Sequence, residues 1–228
     1  MPVVRLIIAT WNSSLKEQPG ILDYTWFLDK ARFHLSRYVI SQNSRIWATE
    51  NPNAIHEEHL HSEKTGVWCG MSRRCIIGPI FFDATITTAA CMDIFNAFVN
   101  QLDDEELSFG YFQQDGATSH TSHASVAGFQ SFVSDRVISK GLWLPRSPDL
   151  TPPVYFLWGY LKGKVYRNKP RTIDALKANI AEQIQAVTAD VLARTFQNMA
   201  RRVQSCLDAN GGHFQHMLCC LHISYTIR

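Results

Sequence analysis

Two aspartates carry the chemistry most easily read from this chain. Asp29 lies in Trp26-Phe-Leu-Asp-Lys-Ala-Arg-Phe and Asp115 in Phe112-Gln-Gln-Asp-Gly, and each is expected at the tip of a strand. Two carboxylates on neighbouring strands can hold hard cations. Magnesium takes a few carboxylate oxygens and keeps several waters, and paired ions about 3.5–4 Å apart stabilise both the attacking and the leaving oxygen in phosphoryl transfer. Taken alone, two such aspartates are far more often residues that end strands or make turns. Two further groups have ligand-type side chains. His56-Glu-Glu-His-Leu-His is not a His-Glu-x-x-His zinc motif, because Leu60 stands where the second histidine belongs. His213, His216, Cys219, Cys220 and His222, with Cys206 upstream, are zinc ligand types. No Gly-rich phosphate loop and no Ser/His/Asp order is present.

The elements that must position the aspartates follow from hydrophobic patterning. An aromatic-rich segment from Asp23, then Arg45–Thr49, Gly66–Gly70 and Cys75–Phe82 predict three or four strands joined by hairpins. From Ala89 the apolar residues Met92, Ile94, Phe95, Phe98, Val99 and Leu102 recur at helical spacing, and Asp103–Glu106 is expected to be a solvated loop at the helix end. Leu107–Gln114 alternates as a strand that delivers Asp115 to its tip, and helix resumes near Ser122. A short strand over Gly141–Pro145 runs into a proline-rich turn, with helix from Val154 to Tyr166. Thr172 and Thr188 each cap an amphipathic helix. The expected architecture is an α/β domain over residues 1–170, a mixed sheet flanked by helices, with a helical extension packed on it over 171–228.

Composition bounds the rest. The 228 residues are 46% hydrophobic and 18% charged, enough for a sizeable core, which excludes disorder and small disulfide scaffolds. No apolar run approaches the roughly 20 residues that a membrane-spanning helix needs. The start shows no export-signal pattern. The six cysteines lack dense regular spacing and fit reduced thiols in a cytosolic or nuclear compartment. With 22 Lys and Arg against 20 Asp and Glu, the net charge of +2 is too balanced to announce a nucleic-acid partner.

The motifs supply what the charge does not. Trp26-Phe-Leu-Asp-Lys-Ala-Arg-Phe-His-Leu, Phe112-Gln-Gln-Asp-Gly-Ala-Thr-Ser-His, Leu144-Pro-Arg-Ser-Pro-Asp-Leu-Thr-Pro and Phe156-Leu-Trp-Gly-Tyr-Leu-Lys, in this order and over nearly the whole chain, resemble the catalytic domain of mariner-type DDE/D transposases. The resemblance implies an RNase H-like fold, Mg²⁺- or Mn²⁺-dependent DNA cleavage and strand transfer, Asp29 and Asp115 as metal ligands, DNA and a second copy as partners, no membrane, and a nuclear location. His120 would at most support the Asp115 site. A similar Asn-Gly-Gly-His tail is ordinary in the family without a metal role, which weighs against zinc.

Two departures matter. The family's third acid falls five positions after Asp149, and there the chain has Val154, which offers a cation no oxygen. Asp149 is the nearby acid that could substitute, although it precedes Pro152-Pro153 whereas the family's acid projects from the helix that follows. The chain also begins 28 residues before Asp29, so the paired helix-turn-helix modules that read transposon ends are expected to be missing from a truncated element. What remains for DNA is backbone contact by Arg73, Arg74, Lys162, Lys164, Arg167, Lys169 and Arg171, weak and salt-dependent. The expectation is a transposase-derived nucleic-acid-binding domain with impaired catalysis, its rival a non-catalytic module that binds DNA or protein.

Overall fold

A computed structural model describes residues 21–36, 63–115, 117, 122–139, 143, 148–212 and 214–218. The expected strand at Arg45–Thr49, all of Gly141–Pro145 except Trp143, and the histidines 56, 59, 61, 120, 213 and 222 lie outside them, as do Cys219 and Cys220.

β1 (Thr25–His34), β2 (Lys64–Met71) and β3 (Ile76–Phe82) form an antiparallel meander, and β4 (Tyr111–Gln113) and β5 (Val137–Ile138) add in parallel beyond β1. The order β3-β2-β1-β4-β5 is a mixed five-stranded sheet, as the patterning predicts. The edge at β3 carries Pro79, which has no N–H to donate and so suits an edge strand.

Alternation along the strands sends two aromatic sets to opposite faces. Trp26, Leu28, Trp68 and Phe112 pack with α1 (Thr88–Val99) and α3 (His123–Val133). Phe27, Phe33, Val67, Cys69 and Met71 pack with α4 (Trp158–Lys164), α5 (Ile173–Gln185) and α6 (Ala189–Asp208). The helices after Thr172 thus share a core with the sheet. Thr87, Ser122, Thr172 and Thr188 cap their helices by accepting the backbone N–H three residues on, and this matches the expected caps at Thr172 and Thr188.

Asp103–Glu106 is not the solvated loop expected of four consecutive acids. It opens a short helix, α2 (Asp104–Phe109), through a capping box: the Asp103 carboxylate accepts the Glu106 N–H at 2.7 Å and Glu106 accepts the Asp103 N–H at 3.2 Å. The acids also favour the positive end of the helix dipole. Residues 107–109 belong to this helix, so the strand before Asp115 is three residues long rather than the eight expected.

The cap comes with the burial of Glu106, which raises its carboxyl above the ordinary value. A carboxyl raised in the folded state favours folding when protonated. Its contribution is full below the ordinary value of about 4.3 and is lost as pH rises through the raised one. Glu106→Gln keeps the capping acceptor and escapes that loss. Thermal unfolding is expected to show a higher midpoint for Glu106→Gln than for the native chain at pH 7, with the difference vanishing near pH 3. An equal or lower midpoint at pH 7 contradicts this reading.

Candidate metal and nucleic-acid site

Asp29 stands in the middle of β1 opposite Cys69, not at a strand tip as expected. β1 runs on because β2 keeps pairing with it to His34, whereas the parallel partner β4 stops at Gln113. Asp115 does lie just beyond its strand. The parallel register pairs Phe27 with Gln113, and two further steps along both chains bring Asp29 level with Asp115. Side chains alternate, so Asp29 shares the face of Phe27 and Phe33, the face covered by α4. Asp115 is exposed, and one carboxylate oxygen accepts the Ala117 N–H at 3.0 Å.

From α4 a residue not expected in the site reaches Asp29. Trp158 donates its indole N–H to Asp29 Oδ2 at 2.8 Å, while its ring packs edge-on against Phe33. Burial raises the Asp29 carboxyl above its ordinary value, the indole and the Lys30 backbone N–H oppose the rise, and the charge of Asp115 adds to it. Burial also pushes up the Cys69 thiol across the ladder, and Asp29 adds to the effect. Gln113, two residues before Asp115 on the same face, is buried, with its side-chain oxygen lacking a hydrogen-bond partner.

The expected third-acid position, Val154, follows a proline-rich turn. Proline-constrained chain enters a π-helical turn, Pro153–Leu157, that runs into α4 and packs on β1. Val154 is in its first turn, 38% exposed, one helical turn before Trp158. Asp149 sits in the short 3₁₀ turn Pro148–Leu150, and its carbonyl accepts from Arg202 of α6 at 3.0 Å. Its charge acts on Arg202 and Cys206, both on α6, whereas the acid acting on Asp29 is Asp115. Among the described residues no group of three or more His, Cys, Asp or Glu side chains is placed to hold an ion. As a donor set, two adjacent carboxylates suit a hard divalent cation that retains water.

The expected DNA-contacting cations divide. Arg73 is paired with Asp23 at 2.6 Å, and Arg74 with Glu105 at 3.3 Å while lying over the Tyr24 ring. Lys162 and Arg167 are exposed on and just after α4, with Lys169 and Arg171 beyond, and half-buried Lys164 donates to the Tyr160 hydroxyl. At the far end of β1, about 16 Å along the strand from Asp29, burial lowers the His34 pKa, and Lys64, Arg32 and Lys162 lower it further. These cations therefore share one positive neighbourhood. Lys64 carries no motif and is found only by its pairing with His34.

No protein-family profile matches the chain. Over 100 residues it is 31% identical to the transposable element Tc1 transposase of Caenorhabditis elegans, a stretch that is 44% of this chain and 35% of that protein. The fold overlays the Mos1 transposase in its paired-end complex with the left transposon end at a TM-score of 0.74 and 16% identity, covering 93% of this chain and 62% of that one. It overlays the Mos1 catalytic domain with raltegravir and Mn at 0.72 and 16% identity, covering 93% and 95%. The chain has the fold of a mariner-type transposase catalytic domain. The mariner-type fold accounts for the mixed sheet and for the helices packed on both of its faces. The chain spans about a third to two thirds of the full-length transposases it resembles and nearly all of the isolated catalytic domain. No helix among the described residues is long and apolar enough to cross a membrane.

Proposed function

We propose that the chain is a transposase-derived DNA-binding domain whose ancestral chemistry, metal-dependent DNA cleavage and strand transfer, is disabled at the third acid. The carrying observation is Val154, exposed in the first turn of the helical segment whose Trp158 reaches Asp29. The similarity to Tc1 and Mos1 transposases supports the ancestral activity, and the Mos1 complex with a transposon end supports DNA as the partner. Asp29 and Asp115 are the residues to hold Mg²⁺ or Mn²⁺, which when bound polarises a phosphate and activates water. This chain orients Asp29 through Trp158. At the third corner Val154 contributes no charge. Asp149 is not the substitute in this reading, because its environment is α6. The domain would act in the nucleus, as a homodimer.

DNA holding falls to Lys162, Arg167 and Lys64, with Arg73 and Arg74 weakened as phosphate contacts by their acidic partners. Binding is then sequence-blind and strongly salt-dependent. Lys162→Ala with Arg167→Ala is expected to lower affinity for any duplex and to reduce the log–log salt slope by about 2, about one for each phosphate no longer neutralised. Fluorescence anisotropy at several salt concentrations measures both, and an unchanged slope rejects these residues. A non-catalytic binding module, the reading Val154 also favours, predicts in addition that Asp29→Ala leaves DNA retention intact.

A further inference from the structure

The Asp29–Asp115 pair lacks more than one oxygen relative to a three-carboxylate site. Its charge balance differs. Two carboxylates carry two negative charges, which one divalent cation neutralises, whereas a second cation would leave two uncompensated positive charges at a partly buried site. Val154 supplies nothing against them, the charge of Asp149 acts on Arg202 and Cys206 of α6, and among the described residues no group of three or more His, Cys, Asp or Glu side chains is placed to hold an ion.

The two Asp29 oxygens are also not equivalent. Indole is a donor only, so the 2.8 Å contact from Trp158 engages Oδ2 from the helix, beside the bond the carboxylate accepts from the Lys30 backbone N–H. Trp158 is itself held, 6% exposed, by the core on its face of the sheet, so its N–H is a rigid donor. Outer partners of this kind orient a ligand, and losing one typically costs 10–100-fold in metal affinity.

We propose that Asp29 and Asp115 form a site for one divalent cation rather than two, and that Trp158 is the positioning residue that presents Asp29 Oδ1 to it. This rests on the reading of the two aspartates as a metal site. With one cation, the attacking and leaving oxygens of a phosphodiester cannot both be stabilised by metal.

The test is titration of the purified full chain with Mn²⁺ alone, followed by electron paramagnetic resonance, which counts bound ions and detects the spin coupling of two ions about 4 Å apart. The native chain is expected to bind one uncoupled Mn²⁺. Trp158→Phe, which keeps a ring and deletes the N–H, is expected to keep that stoichiometry with roughly 10-fold weaker binding. Val154→Asp is expected to take up a second, coupled ion. Two coupled ions in the native chain, or unchanged affinity in a folded Trp158→Phe, overturns the inference and leaves the metal-site reading standing. Native binding no stronger than that of Asp115→Ala overturns the metal-site reading, and the inference with it. The native measurement decides the stoichiometry even if Trp158→Phe does not fold.

Discussion

Replacing Val154 by aspartate is expected to raise Mn²⁺-dependent nicking of supercoiled plasmid by about 100-fold or more over the native chain. The magnitude follows from the charge stabilisation a correctly held cation provides, several kcal/mol, at 1.36 kcal/mol per factor of ten. The scaffold for that gain is already built. By register Asp115, just beyond β4, comes level with Asp29 on β1, Asp29 is bonded by Trp158, and the helix bearing position 154 is anchored on β1. Substitution at 154 asks little of the fold. Val154 is 38% exposed, and its N–H bonds the Thr151 carbonyl at 2.9 Å whatever its side chain. An acid in the first turn is also favoured by the helix dipole. The variant should therefore unfold within about 0.5 kcal/mol of the native chain while gaining activity. A folded Val154→Asp that does not nick would mean that the scaffold has been lost elsewhere.

The second large effect is on stability. Phe98→Ala is expected to cost about 3–5 kcal/mol, a large share of the roughly 5–15 kcal/mol by which a domain is stable. Phe98 is fully buried, and its ring meets Trp26 and Trp68 at 5.3 Å, Phe112 at 6.0 Å and Phe95 at 6.1 Å, three of them edge-to-face. The slot for the ring depends on Gly70. A Cβ there would stand 2.5 Å from Phe98 Cε2, so no other residue lets the ring lie so close to β2. Because Trp26, Trp68 and Phe112 lie on three adjacent strands, truncating Phe98 loosens the sheet that aligns Asp29 with Asp115. Urea unfolding followed by tryptophan emission measures the loss, and a cost below about 1 kcal/mol would show that the surrounding rings close the gap.

The parts of this molecule that could be read from its sequence are those whose cause is local. Alternation and caps place β1, β2, β3 and the helices starting at Thr88, His123, Ile173 and Ala189, because each needs only its own neighbours. The motifs single out Asp29, Asp115 and, five positions after Asp149, Val154, because their spacing is fixed by chain connectivity. Asp103–Glu106 reads as a loop by charge, yet Asp103-x-x-Glu106 is a capping-box spacing, and that signal outweighs the charge. β5, at two residues, is too short for any pattern to register. Trp158 reads as core because it is core; its N–H bond to a residue 129 positions away exists only once α4 lies across the sheet. Arg73 and Arg74 read as free cations for the same reason, since Asp23 and Glu105 reach them through tertiary structure.

A site disabled by Val154 alone is tested most directly by Mn²⁺-dependent plasmid nicking with the native chain, Asp115→Ala, Val154→Asp and the double variant Val154→Asp/Asp115→Ala, assayed side by side. The expected result is background cutting by the native chain, clear nicking by Val154→Asp, and its loss in the double variant. Robust nicking by the native chain that disappears in Asp115→Ala would contradict the proposal, because the site would then be complete without an acid at 154.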